Sequence, residues 1–283
     1  MKINMSRREF VAAFGAVAGM AALAGCGSTG GNKAASTTAA SSAAAATSVD
    51  AADLGLVTAG KLTIGTSPDF PPFENMENGE YVGLDIDLAK DIAEKLGLEV
   101  EYKTLQFDAI VPAVAAGGQV DLGISGITVE PEREEQVNFS GSYYVDDQCI
   151  VTMKSNKDVT ADDQSALNAE GVVIAVQSGT TGEAYAQENF PKATTQPYGN
   201  ATDCFAAMQA GQATAVITNK AVGGKMVQEA YADAQVIKEI ATGEEYAAAV
   251  SKDNQALLDA VNGAIKSLED DGTLDSLVQK YLG

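Results

Sequence analysis

Short segments rich in β-branched residues alternate with helical periods through most of this chain, and this alternation constrains its fold more than any other feature. Such alternation is typical of α/β folds with largely parallel sheets, because a parallel pair of strands needs a crossover connection. Residues 54–283 are enough for two lobes of about 100 residues each. Strands are predicted at Lys61–Thr66, 98–103, 122–125, 149–153, 172–177, 215–218 and 247–250.

An apolar face with helical spacing lies between the first two predicted strands. Asp85 precedes this face and can cap the start of a helix, while Gly97 follows it and can end one. The helix is therefore predicted to belong to the hydrophobic core. Its apolar face consists of Ile86, Ala89, Ala93 and Leu96.

The segment from Asp121 to Arg133 opens a short apolar strand into a turn with hydroxyl side chains. Ser125 and Thr128 offer hydroxyls, and Gly126 lets a ligand approach the backbone because it has no Cβ. The guanidinium of Arg133 matches the two oxygens of a carboxylate. The segment predicts a receptor for a small carboxylate, although its last four residues could instead be a helix start with a solvated arginine.

The N-terminus has the features of a secretion signal. Arg7 and Arg8 precede an apolar run at 10–23, which leads into a Leu-Ala-Gly-Cys box that ends at Cys26. Residues 1–25 are therefore predicted to be a signal peptide, and a lipid on Cys26 would anchor the exported protein to the cell membrane. The run is shorter than the roughly 20 residues of a transmembrane helix, so a retained anchor is the less favoured alternative. The paired arginines leave Sec and twin-arginine export both open.

Residues 26–53 begin with the cysteine of the cleavage box, and the stretch that follows it consists mainly of Ala, Ser, Thr and Gly. No apolar period in this stretch could bury a face, so it is predicted to be a flexible linker behind the lipidated cysteine. A short alanine-rich helix around 43–46 is the alternative, although the neighbouring serines and threonines disfavour it.

The charge balance is strongly acidic, with 39 acidic and 18 basic residues and a net charge of −21. Nucleic acid is therefore not an expected partner. The acidity is typical of an exported protein that must stay soluble. An anionic ligand would need a local positive group, for which Arg133 is the candidate.

The chain has no histidine and only three cysteines. A histidine-based catalytic triad or a histidine-ligated zinc site cannot be built, and no metal or cofactor is predicted. Cys149 falls in a predicted strand and Cys204 in a predicted helix. Two buried free thiols are expected, with a disulfide between them as the alternative.

Motifs in a fixed order along residues 61–283 resemble those of the family 3 extracellular solute-binding proteins, the amino-acid receptors of bacterial ABC importers. Each motif is weak alone, but their common order and spacing make the resemblance specific. Besides the segment at 121–133, they are GTSPDFPPF at 65–73, GLDIDLAK at 83–90, FDAIVP at 107–112, NFS at 138–140 with Tyr143 and Tyr144, VQSGTT at 176–181, and DGT at 271–273 with Lys280 and Tyr281.

The resemblance implies a two-lobed fold of the type II periplasmic-binding-protein kind, in which each lobe is a mostly parallel sheet flanked by helices. Lobe 1 would comprise 54–145 and 247–283, lobe 2 would comprise 146–246, and the ligand cleft would lie between them. It also implies a non-enzymatic, monomeric receptor that closes on an amino acid or related carboxylate and delivers it to an ABC permease.

The resemblance further implies which residues contact the ligand. Two aromatic rings would sandwich the ligand side chain, four residues of the 121–133 segment would hold the amino-acid head with Arg133 on its carboxylate, and four residues of lobe 2 would complete the site. Phenylalanines in the core and threonines that cap a helix are the alternative readings. The predicted contacts are Phe70, Phe107, Ser125, Gly126, Thr128, Arg133, Gln177, Thr180, Thr181 and Asn219.

Asn219 departs from the pattern of the family, which has an aspartate there to pair with the ligand's α-ammonium. A buried ammonium without a paired anion is costly. Asn219 could still accept one hydrogen bond from the ammonium through its carbonyl oxygen, while Asp69, Glu183 or Asp203 could supply the charge from nearby. Alternatively, the ligand lacks an α-ammonium, as an organic acid or a modified amino acid does.

Some relatives of these receptors are periplasmic cyclohexadienyl dehydratases, which makes an enzyme on the same fold the rival hypothesis. Such an enzyme needs a general acid in the cleft. Glu183 and Asp69 are the candidates, and neither lies in a motif that requires catalysis. A ligand-sensing domain of a signalling protein is the third reading.

Overall fold

The computed structural model describes residues 54–283, which form thirteen strands and eight α-helices. The strands are β1 (Lys61–Thr66), β2 (Asp69–Phe70), β3 (Glu74–Glu77), β4 (Glu80–Val82), β5 (Glu99–Thr104), β6 (Leu122–Gly123), β7 (Val137–Phe139), β8 (Tyr144–Met153), β9 (Val173–Gln177), β10 (Thr194–Tyr198), β11 (Ala215–Asn219), β12 (Ala234–Tyr246) and β13 (Ala249–Ser251). The helices are α1 (Leu84–Lys95), α2 (Phe107–Ala116), α3 (Pro131–Glu134), α4 (Thr181–Asn189), α5 (Ala201–Gln209), α6 (Lys220–Glu229), α7 (Gln255–Asp270) and α8 (Thr273–Leu282).

The first sheet has the strand order β5-β1-β6-β13-β7. Strand β1 pairs in parallel with β5 and β6, whereas β13 pairs antiparallel with β6 and β7. Leu62 and Ile64 of β1 are fully buried, as expected for a central strand beneath packed helices. We call this sheet, the small sheet β2-β3-β4 and helices α1–α3, α7 and α8 the first half of the molecule.

The second sheet has the order β10-β9-β11-β8-β12. Strand β9 pairs in parallel with β10 and β11, and β8 pairs antiparallel with β11 and β12. Ile174, Val176 and Ile217 pack into the core of this half. With helices α4–α6 this sheet forms the second half. Both sheets are mixed, so the predicted α/β class is correct while the sheets are less uniformly parallel than expected.

Strands β8 and β12 connect the two halves. Tyr144 at the start of β8 pairs with Tyr246 at the end of β12, and Thr128 of the first half forms a β-bridge with Tyr246. The ring of Phe73 lies 5.4 Å from that of Tyr144 and 5.2 Å from that of Tyr246. This apolar contact holds the ends of both connecting strands against the first half.

Asp85 is not the cap of helix α1, as the sequence suggested. The residue at the cap position is Gly83, with a φ of +134° that disfavours any residue with a Cβ. The helix therefore begins at Leu84 and carries Asp85 into the interior. The predicted end is correct, since α1 ends at Lys95 and Gly97 follows with a φ of +69°.

Cys149 lies in β8 and Cys204 in α5, and both are buried free thiols, which confirms the prediction. Burial raises the pKa of each thiol well above its usual range. Neither is therefore placed to act as a reactive thiolate.

No helix within residues 54–283 combines the length and the apolar character needed to cross a bilayer. The predicted signal peptide at 1–25, the lipidation site at Cys26 and the linker that follows it lie outside the described residues.

Candidate ligand-binding site

Polar side chains from both halves converge on one carboxylate, that of Glu244 in β12. One carboxylate oxygen, Oε2, accepts hydrogen bonds from the hydroxyls of Thr128 and Thr181, both at 2.9 Å, and from the amide of Asn219 at 3.0 Å. The other, Oε1, accepts from Nε2 of Gln148 at 3.0 Å. We call these five residues the Glu244 cluster. Three of them, Thr128, Thr181 and Asn219, were predicted as ligand contacts, and the structure brings them together.

Glu244 itself was not predicted, and neither was Gln148. The side chain of Glu244 is buried, with 8% of its residue surface exposed. Pairing between β8 and β12 is irregular between Ile240 and Glu244. The sequence offered one signal, the predicted return of the chain between lobes near Tyr246, which lies two residues further on.

The guanidinium of Arg133 lies between the two halves. Its Nη1 donates to the carbonyl of Thr128 at 2.9 Å, and its Nη2 donates to the carbonyl of Gly179 at 3.0 Å. Its Nε is paired with the carboxylate of Glu130 at 2.9 Å. Its Cζ lies 5.3 Å from the ring centroid of Phe107, within the range of a cation–π contact.

Arg133 belongs to helix α3, so the helix start proposed for this segment exists, but the arginine is not solvated. It is 7% exposed. Burial lowers the pKa of Arg133, and the nearby carboxylate of Glu130 opposes that effect. A guanidinium remains charged under such a shift because its ordinary pKa is so high.

Ser125 and Gly126 face the interior of the first half. The Ser125 hydroxyl donates to Glu74 at 2.6 Å and accepts from the backbone N–H of Ser67 at 3.0 Å. The N–H of Gly126 donates to Asp85 at 2.6 Å, and its φ is +54°. The turn is therefore fixed from behind by two buried carboxyl groups.

We call Glu74 and Asp85 the carboxyl pair. Both are buried, and the hydroxyl of Tyr143 also donates to Asp85, at 2.8 Å. Burial raises the pKa of Asp85 to about 6. Burial, together with the neighbouring Asp85, raises the pKa of Glu74 well above its ordinary value. One proton shared between them is the arrangement that such shifts favour.

The two predicted aromatic contacts are placed differently. Phe70 is buried against Phe73, with 6.0 Å between ring centroids. A Cβ added at Gly126 would lie 3.1 Å from the ring of Phe70. Phe107 is the first residue of α2 and lies beneath the guanidinium of Arg133.

Residues 177–181 form the approach to helix α4. Thr180 caps this helix, since its hydroxyl accepts from the N–H of Glu183 at 3.2 Å and donates to the carbonyl of Gln177 at 2.7 Å. The amide of Gln177 donates to the carbonyl of Gly199 at 3.4 Å. Thr180 thus fulfils the capping role that was its alternative reading, whereas the hydroxyl of Thr181 belongs to the Glu244 cluster.

The anion beside Asn219 is Glu244, and not one of the three acids suggested by the sequence. Glu183 accepts from the N–H of Gly179, and Asp203 accepts from the amide of Asn200. Asp69 accepts from the hydroxyl of Ser67 at 2.9 Å, and burial raises its pKa to about 6.

Two α/β halves joined by two strands, with polar side chains of both halves meeting between them, define a binding protein. Over residues 62–283 the chain matches the family model of the bacterial extracellular solute-binding proteins, family 3. It belongs to that family and is a solute-binding protein, and the relatives that it matches are named as binding proteins rather than enzymes.

Known relatives cover most of the chain. The ABC transporter arginine-binding protein 1 of Escherichia coli K12 is 30% identical over 232 residues, which is 80% of this chain and 93% of that protein. An ancestral arginine-binding protein bound to arginine is 37% identical with a TM-score of 0.73, covering 79% of this chain and 99% of that one. The ancestral amino acid-binding protein AncCDT-1, a precursor of cyclohexadienyl dehydratase, is 36% identical with a TM-score of 0.74, covering 79% and 96%.

Proposed function

We propose that this protein is the extracytoplasmic binding component of an ABC importer and that it binds an amino acid or a related small carboxylate. Its family membership supports this proposal, and so do the relatives that are named as amino-acid-binding proteins. The observation that carries it is the convergence of Arg133 and the Glu244 cluster between the two halves.

Arg133 retains the capacity to bind a carboxylate. A guanidinium has five N–H donors. The contacts to Thr128, Gly179 and Glu130 use three of them, which leaves two N–H groups for a ligand carboxylate. The remaining predicted contacts would surround the ligand from both lobes, namely Phe70, Phe107, Ser125, Gly126, Thr128, Gln177, Thr180, Thr181 and Asn219.

The mechanism is closure of lobe 1 (54–145 and 247–283) against lobe 2 (146–246), with β8 and β12 as the connecting hinge. Contacts between the halves would form on closure. They include Arg133 to Gly179, and also the hydroxyl of Ser178 to Asp108 at 3.0 Å. A ligand that contacts both lobes favours the closed state by its differential affinity, and the permease would recognise that state.

A screen of the twenty L-amino acids tests this function. A ligand at 100 times its Kd stabilises the folded protein by about 2.7 kcal/mol. We expect one amino acid or a small group of them to raise the Tm of residues 54–283, with calorimetry giving a single site. If none of the twenty shifts the Tm or gives heat, the proposed ligand class is wrong.

We further propose export by the signal peptide at 1–25 and anchoring through a lipid on Cys26. The Leu-Ala-Gly-Cys box supports this. Growth with labelled palmitate should label the full chain but not its Cys26→Ser variant, which should no longer fractionate with membranes. Equal labelling of both would exclude the anchor.

A further inference from the structure

Glu244 is a buried carboxylate whose hydrogen-bond donors are all neutral. They are the hydroxyls of Thr128 and Thr181 and the amides of Gln148 and Asn219. Among the described residues, no lysine or arginine nitrogen lies within 4.0 Å of Glu244. A buried carboxylate without a cation is costly, so this position is suited to receive one.

The positively charged Arg133 and the carboxylate of Glu244 are hydrogen-bonded to the same residue, Thr128. The carbonyl of Thr128 accepts from Arg133, while the hydroxyl of the same Thr128 donates to Glu244. A buried cation and a buried anion therefore flank a single residue between the two halves. The head group of an amino acid carries its carboxylate and its ammonium on one carbon, which matches this pair of charges.

We propose that Glu244 pairs with the ligand's α-ammonium, and that the ligand is an amino acid with a free ammonium rather than an organic acid. This inference rests on the proposed function and narrows its ligand class. Asn219 has no charge and donates its amide to Glu244. The carboxylate for the ammonium thus comes from the connecting strand β12, and Asn219 holds it in position.

Glu244 also joins the two halves, and this purely structural role must be separated from ammonium binding. Glu244→Gln keeps the size and one acceptor oxygen but removes the charge. Its matched control is Glu245→Gln, because Glu245 is the next residue of β12 and its side chain is exposed. Both variants are measured for unliganded Tm and for calorimetric affinity.

The ligands for this experiment are the amino acid that binds most tightly among the twenty and the 2-hydroxy acid with the same side chain. For wild type and Glu245→Gln we expect the 2-hydroxy acid to bind much more weakly than the amino acid. For Glu244→Gln we expect the affinity for the amino acid to fall by about ten- to a hundredfold, because a hydrogen bond to a charged partner is lost. Its affinity for the 2-hydroxy acid should change less than threefold.

A double variant moves the charge within the cluster. Asn219 Nδ2 and Glu244 Oε2 are 3.0 Å apart, so Asn219→Asp with Glu244→Gln keeps one carboxylate at almost the same place. We expect this double variant to regain at least tenfold of the affinity that Glu244→Gln loses. A structural role alone would give no such rescue.

Two results would overturn the inference. Equal losses for the amino acid and the 2-hydroxy acid in Glu244→Gln would assign Glu244 to the fold or to closure. Unchanged affinity for both would remove it from the site, while the proposed function would stand as long as an amino acid binds wild type. Failure of all twenty amino acids to bind wild type would overturn the proposed function, and this inference with it.

Discussion

The carboxyl pair and the Glu244 cluster are both buried acidic groups, but their hydrogen-bond donors come from different parts of the molecule. Glu74 and Asp85 accept from Ser125, Gly126 and Tyr143, all in the first half. The donors to Glu244 come from Thr128 in the first half and from three residues in the second. A carboxylate held within one half can stabilise only that half, whereas one shared by both halves responds to their separation and to whatever binds between them.

The two groups also differ in how their charge is accommodated. In the carboxyl pair, raised pKa values favour a shared proton, which reduces the charge in the interior. Glu244 instead has four neutral donors directed at it. The carboxyl pair is suited to a fixed core, whereas Glu244 is suited to exchange its neutral hydrogen-bond donors for a group of the ligand when the ligand binds.

Among substitutions where the two halves meet, Arg133→Ala is expected to have the largest effect on amino-acid affinity. Removing one partner of a buried charge pair costs about 2–5 kcal/mol, which corresponds to a loss of roughly 30-fold to several thousandfold in amino-acid affinity. The unliganded protein should also lose some stability, since the carbonyl of Thr128, in the same half as Arg133, loses a donor. Arg133→Lys keeps the charge but lacks the planar guanidinium, so its amino-acid affinity should lie between those of Arg133→Ala and wild type. Calorimetry that shows normal binding by Arg133→Ala would remove the arginine from the site.

Gly179→Ala is expected to have the second-largest effect. It should weaken amino-acid binding about tenfold, because the added Cβ obstructs contact between the two halves. An added Cβ would lie 2.7 Å from Cβ of Asp108, and the φ of Gly179 is +73°. Gly171→Ala is the matched control, since Gly171 has a φ of +83° with no atom within 4 Å of an added Cβ. Both carry the backbone strain of a non-glycine residue, but only Gly179→Ala should increase the radius of gyration of the ligand-saturated protein. Equal effects of the two would refute the steric explanation.

Glu74→Gln tests the carboxyl pair. We expect it to change how the free energy of unfolding depends on pH. The folded-state pKa of Glu74 is raised well above 4.5, so the folded protein binds more protons than the unfolded chain above that pH, and stability falls as pH rises toward the raised pKa. The variant mimics the protonated form and should lose this slope. In urea unfolding its free energy of unfolding relative to wild type should therefore rise as the pH is raised from 5 to 7.

The control for that experiment is ligand affinity. Because the carboxyl pair lies within the first half, Glu74→Gln should bind the amino acid within about threefold of wild type at pH 7. Parallel unfolding curves for the two proteins across the pH range would show that the shared proton does not exist.

Ser178→Ala should have the smallest effect. The hydroxyl of Ser178 in the second half donates to Asp108 in the first half, but this hydrogen bond is exposed to solvent. A net hydrogen bond contributes about 0.5–1.5 kcal/mol, and the lower end applies where water can replace it. Calorimetry should give an amino-acid affinity within about threefold of wild type. A larger loss would show that the contact between Ser178 and Asp108 is part of the ligand site.

The sequence predicted the core strands well because their apolar, β-branched runs depend on local residues alone. Strand β1 was predicted at its observed bounds, and β9 within one residue. The hairpin of β3 and β4 was missed, although Asn78 and Gly79 are a known signal for a tight turn and both have positive φ values.

The Glu244 cluster could not be predicted in full because its members are distant in the chain. The hydrogen bond from Thr128 to Glu244 joins residues 116 positions apart, and that from Thr181 joins residues 63 apart. The irregular pairing before Glu244 also breaks the alternation of faces that identifies inward-facing residues of a strand. The resemblance to the family identified three of the donors to Glu244, but the carboxylate itself lies in no motif.

The most direct test is a crystal structure of the protein with its tightest-binding amino acid. We expect the ligand ammonium within hydrogen-bonding distance of Glu244 and the ligand carboxylate against Arg133, with both halves in contact with the ligand. An amino acid bound elsewhere, or bound with its ammonium more than 4 Å from every oxygen of Glu244, would contradict the account.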